Sequence, residues 1–375
     1  MNFLQEKESH ITRAKRVVVK VGSAVLASQD GLNLDRVESL ARDIARLHDT
    51  GRDVILVSSG AVAAGRGVMR DLRKISSKAL PDKQAAAAVG QSRLMYAYDK
   101  AFAAQGKISA QVLLTRDDLR SRGRFLNARN TFATLLEWRA IPVVNENDTV
   151  AVTELKFGDN DNLASLILNL TAADIFINLT SAEGVFDKDP DTFADAKILE
   201  CIDDIQSLDV KLLCGAKTSL GSGGMASKLR AARRAAQLGV ATYIVPGRVE
   251  GILEEVFTRP AALHGTWVRP LPKAIPSRKF WLAYNADPAG SLVIDAGAKE
   301  ALLIGGKSLL PAGITAITGN FAAGSLVLIV GPDKAAVGVG LCNYSATELE
   351  GILASSRNSH TEAVHRDNLV LHAAI

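Results

Sequence analysis

The chain has 375 residues, enough for two domains with a substantial core. Its 44 basic and 40 acidic side chains give a net charge of +4, which disfavours a dedicated nucleic-acid-binding protein. Cys201, Cys214 and Cys342 are isolated and match neither a disulfide framework nor zinc-ligand spacing. No signal peptide is recognisable, and no apolar run reaches the roughly 18 residues of a membrane span. We therefore expect a soluble, cytoplasmic protein without a resident metal.

Short apolar segments alternate with longer amphipathic ones from residue 15 to about residue 258. This alternation is typical of βα units that form a mostly parallel sheet. The predicted strands, all expected to be buried on both faces, are 16–21, 53–58, 108–114, 141–144, 174–179 and 241–245. The predicted helices are 34–49, 84–104, 127–139, 160–171 and 225–238, the last closed by Gly239. The fold class predicted for residues 1–259 is α/β, a three-layer αβα sandwich.

The composition changes after this region. Four prolines within residues 260–276 indicate a stiff linker. Short apolar runs at 290–295 and 324–329, separated by turns, predict a small β-rich domain over residues 277–375. Residues 276–375 carry seven basic and eight acidic side chains, so strong RNA binding by this domain is disfavoured.

Two lysines lie where they could hold an anion. Lys20 is near the end of the first predicted strand, and Lys228 follows the glycine-rich turn 221–227 at the start of a helix. Successive glycines let several N–H groups point into one concavity, to which the helix adds its positive end. The turn does not match the P-loop pattern. The alternatives are a solvated strand end for Lys20 and a flexible hinge for the turn.

Polar residues follow the strands at their carboxyl ends, where ligands bind in α/β sheets. Asparagines and acids are concentrated in 145–148 and again in 158–162, which suits a ligand with amino and carboxyl groups. Helix capping and turn formation are the alternative for both segments. Asp161 is our candidate for fixing a lysine. Ser58–Gly65 is either a second anion cradle or a tight strand-to-helix turn.

The six histidines show no paired spacing, which argues against a metalloenzyme or a histidine-based acyl transfer. Phosphoryl transfer needs neither, because lysines, backbone N–H groups and Mg²⁺ supply what it requires.

Several segments, taken together, resemble those of the amino acid kinase family, and within it those of the glutamate 5-kinases. These segments are Lys20–Ser23, Ser59–Gly65, Phe125–Arg129, Asn145–Asp148, Gly158–Asn162 and Gly223–Lys228. They occur in the family's order over roughly residues 15–258. Further along, Leu309–Ile314 and Thr318–Phe321 resemble the PUA domain that many bacterial members carry.

The resemblance implies ATP- and Mg²⁺-dependent phosphorylation of the side-chain carboxylate of L-glutamate, the first step of proline synthesis. It also implies feedback inhibition by proline sensed at residues 146–161, a homo-oligomer, and transfer of the product to a glutamyl phosphate reductase. Two alternatives stay open. One is a family member with another acceptor, although a phosphate acceptor would call for arginines. The other is an RNA-binding or regulatory PUA protein.

The same resemblance assigns roles to individual residues. It implies that Lys20 and Lys228 stabilise the transferring phosphoryl group and that Asp161 holds both lysines. The implied substrate-binding residues are Ser59, Gly60, Asn145, Asp148 and Asn160. The implied nucleotide-binding residues are Lys20, Thr180, Ser181, Ser222, Gly223, Gly224, Met225 and Lys228. The chain departs from the family at Ser181, where an aspartate is common, so nucleotide affinity is left open.

Overall fold

The computed structural model describes residues 2–29, 31–69, 80–151, 160–210, 213, 224–284, 287–355 and 361–371. The chain forms two compact units, Met1–Ala274 and Ile275–Ile375. Each unit has a hydrophobic core of its own. Within the described residues, no helix combines the length and the apolar character needed to cross a membrane.

The first unit is built on an eight-stranded sheet. Its strands are β1 (Arg16–Val21), β4 (Asp53–Ser58), β5 (Ser109–Leu114), β6 (Ile141–Glu146), β7 (Ile175–Thr180), β8 (Cys201–Ile202), β9 (Ala241–Pro246) and β10 (Thr266–Val268), and a separate hairpin pairs β2 (Ala27–Ser28) with β3 (Gly31–Leu32). The strand order is β5-β6-β4-β1-β7-β9-β10-β8. All neighbouring strands are parallel except β10, which runs antiparallel to β9. The carboxyl ends of the central strands therefore meet at one edge.

Helices cover both faces of this sheet. They are α1 (Phe3–Arg13), α2 (Ser23–Leu26), α3 (Leu34–Asp49), α4 (Ala61–Met69), α5 (Leu80–Ala103), α6 (Arg116–Arg120), α7 (Arg122–Glu137), α8 (Asn160–Thr171), α9 (Met225–Gln237) and α10 (Ile252–Thr258). Apolar residues of α1, α3, α5 and α10 share one core with alternate residues of the strands. On the other face, α8 packs beside α9 and over β1, β4 and β6. This is the predicted αβα sandwich.

Most predicted elements lie within a few residues of the observed ones, but three expectations need correction. Strand β5 is only partly buried, because it lies at the sheet edge with β6 as its single neighbour. Residues 260–276 are not purely a linker, since β10 lies within them and its Trp267 is fully buried. The other unpredicted elements of the first unit are helices α1, α2, α4, α6 and α10 and strands β2, β3 and β8. The short length of β8 and β10 explains why periodicity missed them.

The second unit is β-rich, as predicted. Its strands are β11 (Gly290–Ile294), β12 (Ile314–Thr318), β13 (Leu326–Val330), β14 (Ala336–Cys342) and β15 (Val364–Leu371), accompanied by helices α11 (Ser277–Tyr284), α12 (Ala296–Leu303) and α13 (Ala346–Ala354). They form a sheet in the order β12-β11-β13-β14-β15. Only β11 and β13 pair in parallel.

Candidate active site

The pleat of the central strands directs Lys20 towards one face of the sheet. Val17, Val19 and Val21 of β1 belong to the core beneath α1 and α3. Because side chains alternate along a strand, Lys20 projects to the opposite face, which α8 covers. The parallel register sets Asn178 of β7 directly beside Lys20.

Two helices begin at this place. Asp161 lies in the first turn of α8, where the helix dipole favours a negative charge. Lys228 lies near the start of α9, where the dipole opposes a positive charge. The N-cap residue of α9, Gly224, makes no side-chain hydrogen bond to the first N–H groups. The amino ends of α8 and α9 thus add positive potential to the site.

The carboxylate of Asp161 joins these elements. Lys20 Nζ lies 2.5 Å from Oδ1, and Lys228 Nζ lies 3.2 Å from Oδ2. Asn178 donates to Oδ1 at 3.0 Å, and Ser227 donates to Oδ2 at 2.7 Å. A carboxylate has about four lone-pair positions, so the four donors use its accepting capacity. The two lysines therefore converge on one buried group.

Electrostatics keep Asp161 ionised. Burial, which is complete, acts to raise its pKa, but the charges of Lys20 and Lys228 and the hydrogen bonds from Lys20 and Ser227 outweigh it. The pKa of Asp161 is lowered to about 2. Two lysine side chains face this one carboxylate.

A network of uncharged polar groups lies next to this cluster. Asn160 Nδ2 is 2.9 Å from both Ser59 Oγ and Asn145 Oδ1, and 3.0 Å from the carbonyl oxygen of Ser58. Asn145 Nδ2 in turn donates to Gln91 Oε1 at 2.8 Å. Gln91 Nε2 is buried and has no hydrogen-bond partner among the described residues. The network thus ends in an amide donor that a ligand could use.

The packing of α4 and α5 explains the small residues after Ser59. A Cβ at Gly65 would lie 1.8 Å from the carbonyl oxygen of Ala86, and a Cβ at Gly90 would lie 1.8 Å from that of Ala61. Gly65 is therefore required for the close contact between α4 and α5. Gly60 has a φ of +114°, which favours glycine at the start of α4.

The remaining predicted site residues differ in how far they are buried. Asp148 is partly buried just beyond β6, Thr180 is buried at the end of β7, and Ser181 is exposed. Gly224 is exposed and Met225 is partly buried at the start of α9. Two of the predicted nucleotide-binding residues, Ser222 and Gly223, lie outside the described residues, as do residues 152–159. Among the described side chains, no group of three or more His, Cys, Asp or Glu could hold a metal ion.

Three residues of the site were missed in the sequence: Asn178, Ser227 and Gln91. Asn178 had a recognisable signal, because it is an amide within the otherwise apolar run Ile175–Leu179 of a buried strand. Ser227 precedes Lys228 and looked like part of the glycine turn. Gln91 lies inside the long helix α5, and its role depends on tertiary contacts that no local pattern reports.

Comparison with known proteins shows which family the chain belongs to. The sequence profile of the amino acid kinase family matches residues 15–246. The chain belongs to the amino acid kinase family. The profile of the PUA domain matches residues 290–360, so the β-rich second unit is a PUA domain.

Relatives in this family align over nearly the whole chain. A protein of Oleidesulfovibrio alaskensis named glutamate 5-kinase is 55% identical, with 100% of both chains covered. One of the same name from Nitratidesulfovibrio vulgaris is 53% identical, again over 100% of both. A third, from Maridesulfovibrio salexigens, is 55% identical over 97% of this chain and 98% of its own.

Proposed function

We propose that this protein transfers the γ-phosphoryl group of ATP to the side-chain carboxylate of L-glutamate, giving L-glutamyl 5-phosphate. The observation that carries the proposal is the convergence of Lys20 and Lys228 on Asp161 at the carboxyl edge of the sheet. The names of the full-length relatives support glutamate as the acceptor.

The proposed reaction depends on charge and position. A glutamate carboxylate is already ionised near neutral pH, so its attack on the γ-phosphorus needs no general base. The new P–O bond forms as the bond to the bridging oxygen breaks, and ADP leaves with the electron pair. Lys20 and Lys228 offset the negative charge on the moving group, which is the main demand of phosphoryl transfer.

The donor set at the site fits a nucleotide phosphate. It consists of ammonium groups and the amino ends of two helices, and the Asp161 carboxylate is already shared by four donors. We therefore treat Mg²⁺ as arriving with ATP, as part of the substrate. Gly224 and Met225 would lie near the phosphates, as would Ser222 and Gly223. Thr180 and Ser181 would lie on the nucleotide side, with a hydroxyl where the family commonly has a carboxylate.

The polar network would bind glutamate. Asn145, Asn160 and Ser59 offer amide and hydroxyl groups, and Gly60 allows the substrate to approach the backbone. The buried Gln91 Nε2 would donate to the α-carboxylate, and Asp148 would take the ammonium group. In this arrangement the side-chain carboxylate of glutamate would face the lysines.

An acceptor survey tests the proposal. ADP release by the purified protein should require ATP, Mg²⁺ and L-glutamate, and hydroxylamine should trap the product as a hydroxamate, since an acyl phosphate reacts with it. L-Aspartate and a nucleoside monophosphate serve as the competing acceptors. Turnover of the monophosphate without turnover of glutamate would overturn the assignment.

Three further proposals rest on the family resemblance. We propose that proline inhibits the enzyme through the 146–161 segment, that the chain forms a homo-oligomer, and that the acyl phosphate passes to a reductase. Titrating proline into the ADP assay, light scattering of the purified protein, and a coupled assay with a glutamyl phosphate reductase test these in turn.

A further inference from the structure

Asn178 is a fully buried amide in the centre of the sheet. Every residue of β7 is buried, and the positions before and after Asn178 are Ile177 and Leu179. Burying an amide in such surroundings is unfavourable unless it is hydrogen-bonded. Its Nδ2 donates to Asp161 Oδ1 at 3.0 Å.

The contacts of Asp161 are arranged in matching pairs. Oδ1 takes the ammonium of Lys20 and the amide of Asn178. Oδ2 takes the ammonium of Lys228 and the hydroxyl of Ser227. Each oxygen therefore has one charged and one neutral donor. The neutral donors fix the direction of the carboxylate without changing the net charge of the cluster.

A purely structural role for Asn178 does not explain its amide oxygen. Asn178 Oδ1 is buried and has no hydrogen-bond partner among the described residues. An unsatisfied buried acceptor is unfavourable, and a leucine, which also branches at Cγ, would avoid it. Among the described contacts, the hydrogen bond to Asp161 is the one that explains an amide at this position.

We propose that Asn178 is a positioning residue for phosphoryl transfer, holding Asp161 so that the ammonium groups of Lys20 and Lys228 converge at one place. A carboxylate free to rotate would let the two ammonium groups drift apart. The inference rests on the proposed function, because it assigns Asn178 to that reaction.

The first test replaces Asn178 with leucine. Asn178→Leu should lower kcat by about tenfold, the effect of losing one hydrogen bond to a charged group, and leave the KM for glutamate within about twofold. The control is Thr242→Val, because Thr242 is also fully buried, lies on the adjacent strand β9, and has an Oγ1 without a described partner. That variant should keep the wild-type kcat.

The second test uses a pH profile that a structural role would not alter. Asn178→Asp places a second carboxyl beside Asp161, and two such groups ionise in separate steps, with one pKa raised. When protonated, the introduced carboxyl can donate to Asp161 as the amide does. When ionised, it repels Asp161 and adds a second negative charge beside the two lysines. The ratio of variant to wild-type kcat should therefore fall by about tenfold or more as the pH rises from 6 to 9.

The outcomes separate this inference from the proposed function. If the wild type phosphorylates glutamate while Asn178→Leu keeps its kcat, or Asn178→Asp keeps a constant ratio at all pH values, the inference is overturned alone. A wild type that phosphorylates nothing would overturn both. Circular dichroism and the midpoint of thermal unfolding, measured on each variant, show whether a lost kcat reflects unfolding. If Asn178→Leu does not fold, the pH profile of Asn178→Asp decides.

Discussion

Two buried carboxylates lie on opposite faces of the central sheet and have opposite pKa shifts. Asp161 is fully buried on the α8 face, and its four donors lower its pKa to about 2. Asp43 of α3 is 3% exposed on the other face, and burial raises its pKa to about 6. Burial alone does not decide the charge of an acid. The donors around it do.

Within the described residues, the surroundings of Asp43 lack the set of direct donors that lowers the pKa of Asp161. Arg36 acts to lower the pKa of Asp43, but its guanidinium donates to Ser39 and to the carbonyl oxygen of Val249. Glu254 nearby acts to raise that pKa further. Asp43 Oδ2 has no hydrogen-bond partner in the described part of the chain. The poorly satisfied carboxylate therefore keeps its proton up to about pH 6, whereas the satisfied one is ionised above about pH 2.

Asp161→Asn should have the largest effect. It removes the buried carboxylate that pairs with both lysines, which costs about 3–5 kcal/mol of the free energy of unfolding and should abolish measurable turnover. Urea denaturation and the ADP assay measure the two effects. Asp43→Asn is the control, since it removes a buried carboxylate that has no such pair of cations. Equal losses of stability and turnover in both variants would refute the contrast between Asp161 and Asp43.

Lys228→Ala should lower kcat by about 10²–10³ with the fold retained, as expected for loss of one preorganised charge at the transition state. Initial rates of ADP release and circular dichroism are the measurements. Arg230→Ala removes an exposed cation from the same helix and should keep the wild-type rate. A near-normal rate for Lys228→Ala would remove this lysine from the mechanism.

Ser227→Ala should have a smaller effect, because three donors to Asp161 remain. Loss of this hydrogen bond is expected to reduce kcat by roughly three- to tenfold. Ser165→Ala provides the comparison: Ser165 is a buried serine of α8 whose hydroxyl donates to the backbone carbonyl of Asn162. Unchanged kinetics for Ser227→Ala would mean that the ammonium groups alone fix the carboxylate.

Asp43→Asn should have the smallest effect on turnover. Its effect on the free energy of unfolding should appear as a change with pH. The folded chain keeps the proton of Asp43 up to about pH 6, whereas the unfolded chain releases it near 3.8. The free energy of unfolding therefore falls as the pH rises through this window. Asn at this position removes that fall, so the stability of the variant relative to the wild type should rise by about 2 kcal/mol between pH 4 and pH 7. Glu38→Gln, an exposed change on α3, should show no such trend.

Asp161 contributes to the same pH profile with the opposite sign. Its folded pKa lies below the usual value, so its stabilisation is complete above about pH 4 and is lost as the pH falls towards 2. Wild-type denaturation curves should therefore show a loss of stability at strongly acidic pH that Asp161→Asn lacks.

Local patterns predicted most of the elements, because the central strands are continuous apolar runs and the longer helices bury a periodic apolar face. They also placed Lys20, Asp161 and Lys228 at the ends or starts of elements that the structure brings together. The partners of these residues were out of reach, because Asn178 becomes relevant only once the parallel register sets β7 beside β1. The contact between α4 and α5, and strand β10, likewise depend on residues distant in the chain.

Strand β10 has a consequence for truncation and for folding on the ribosome. It carries Trp267, whose ring packs edge-on against Tyr243 and near His10 of α1. It is also the neighbour that connects β8 to the sheet. A chain cut after residue 259 would lack this tryptophan and leave β8 detached, so the kinase unit should become protease-resistant only when it extends past Val268. During synthesis, helix α1 likewise cannot complete its packing until β10, some 250 residues later in the chain, has been made.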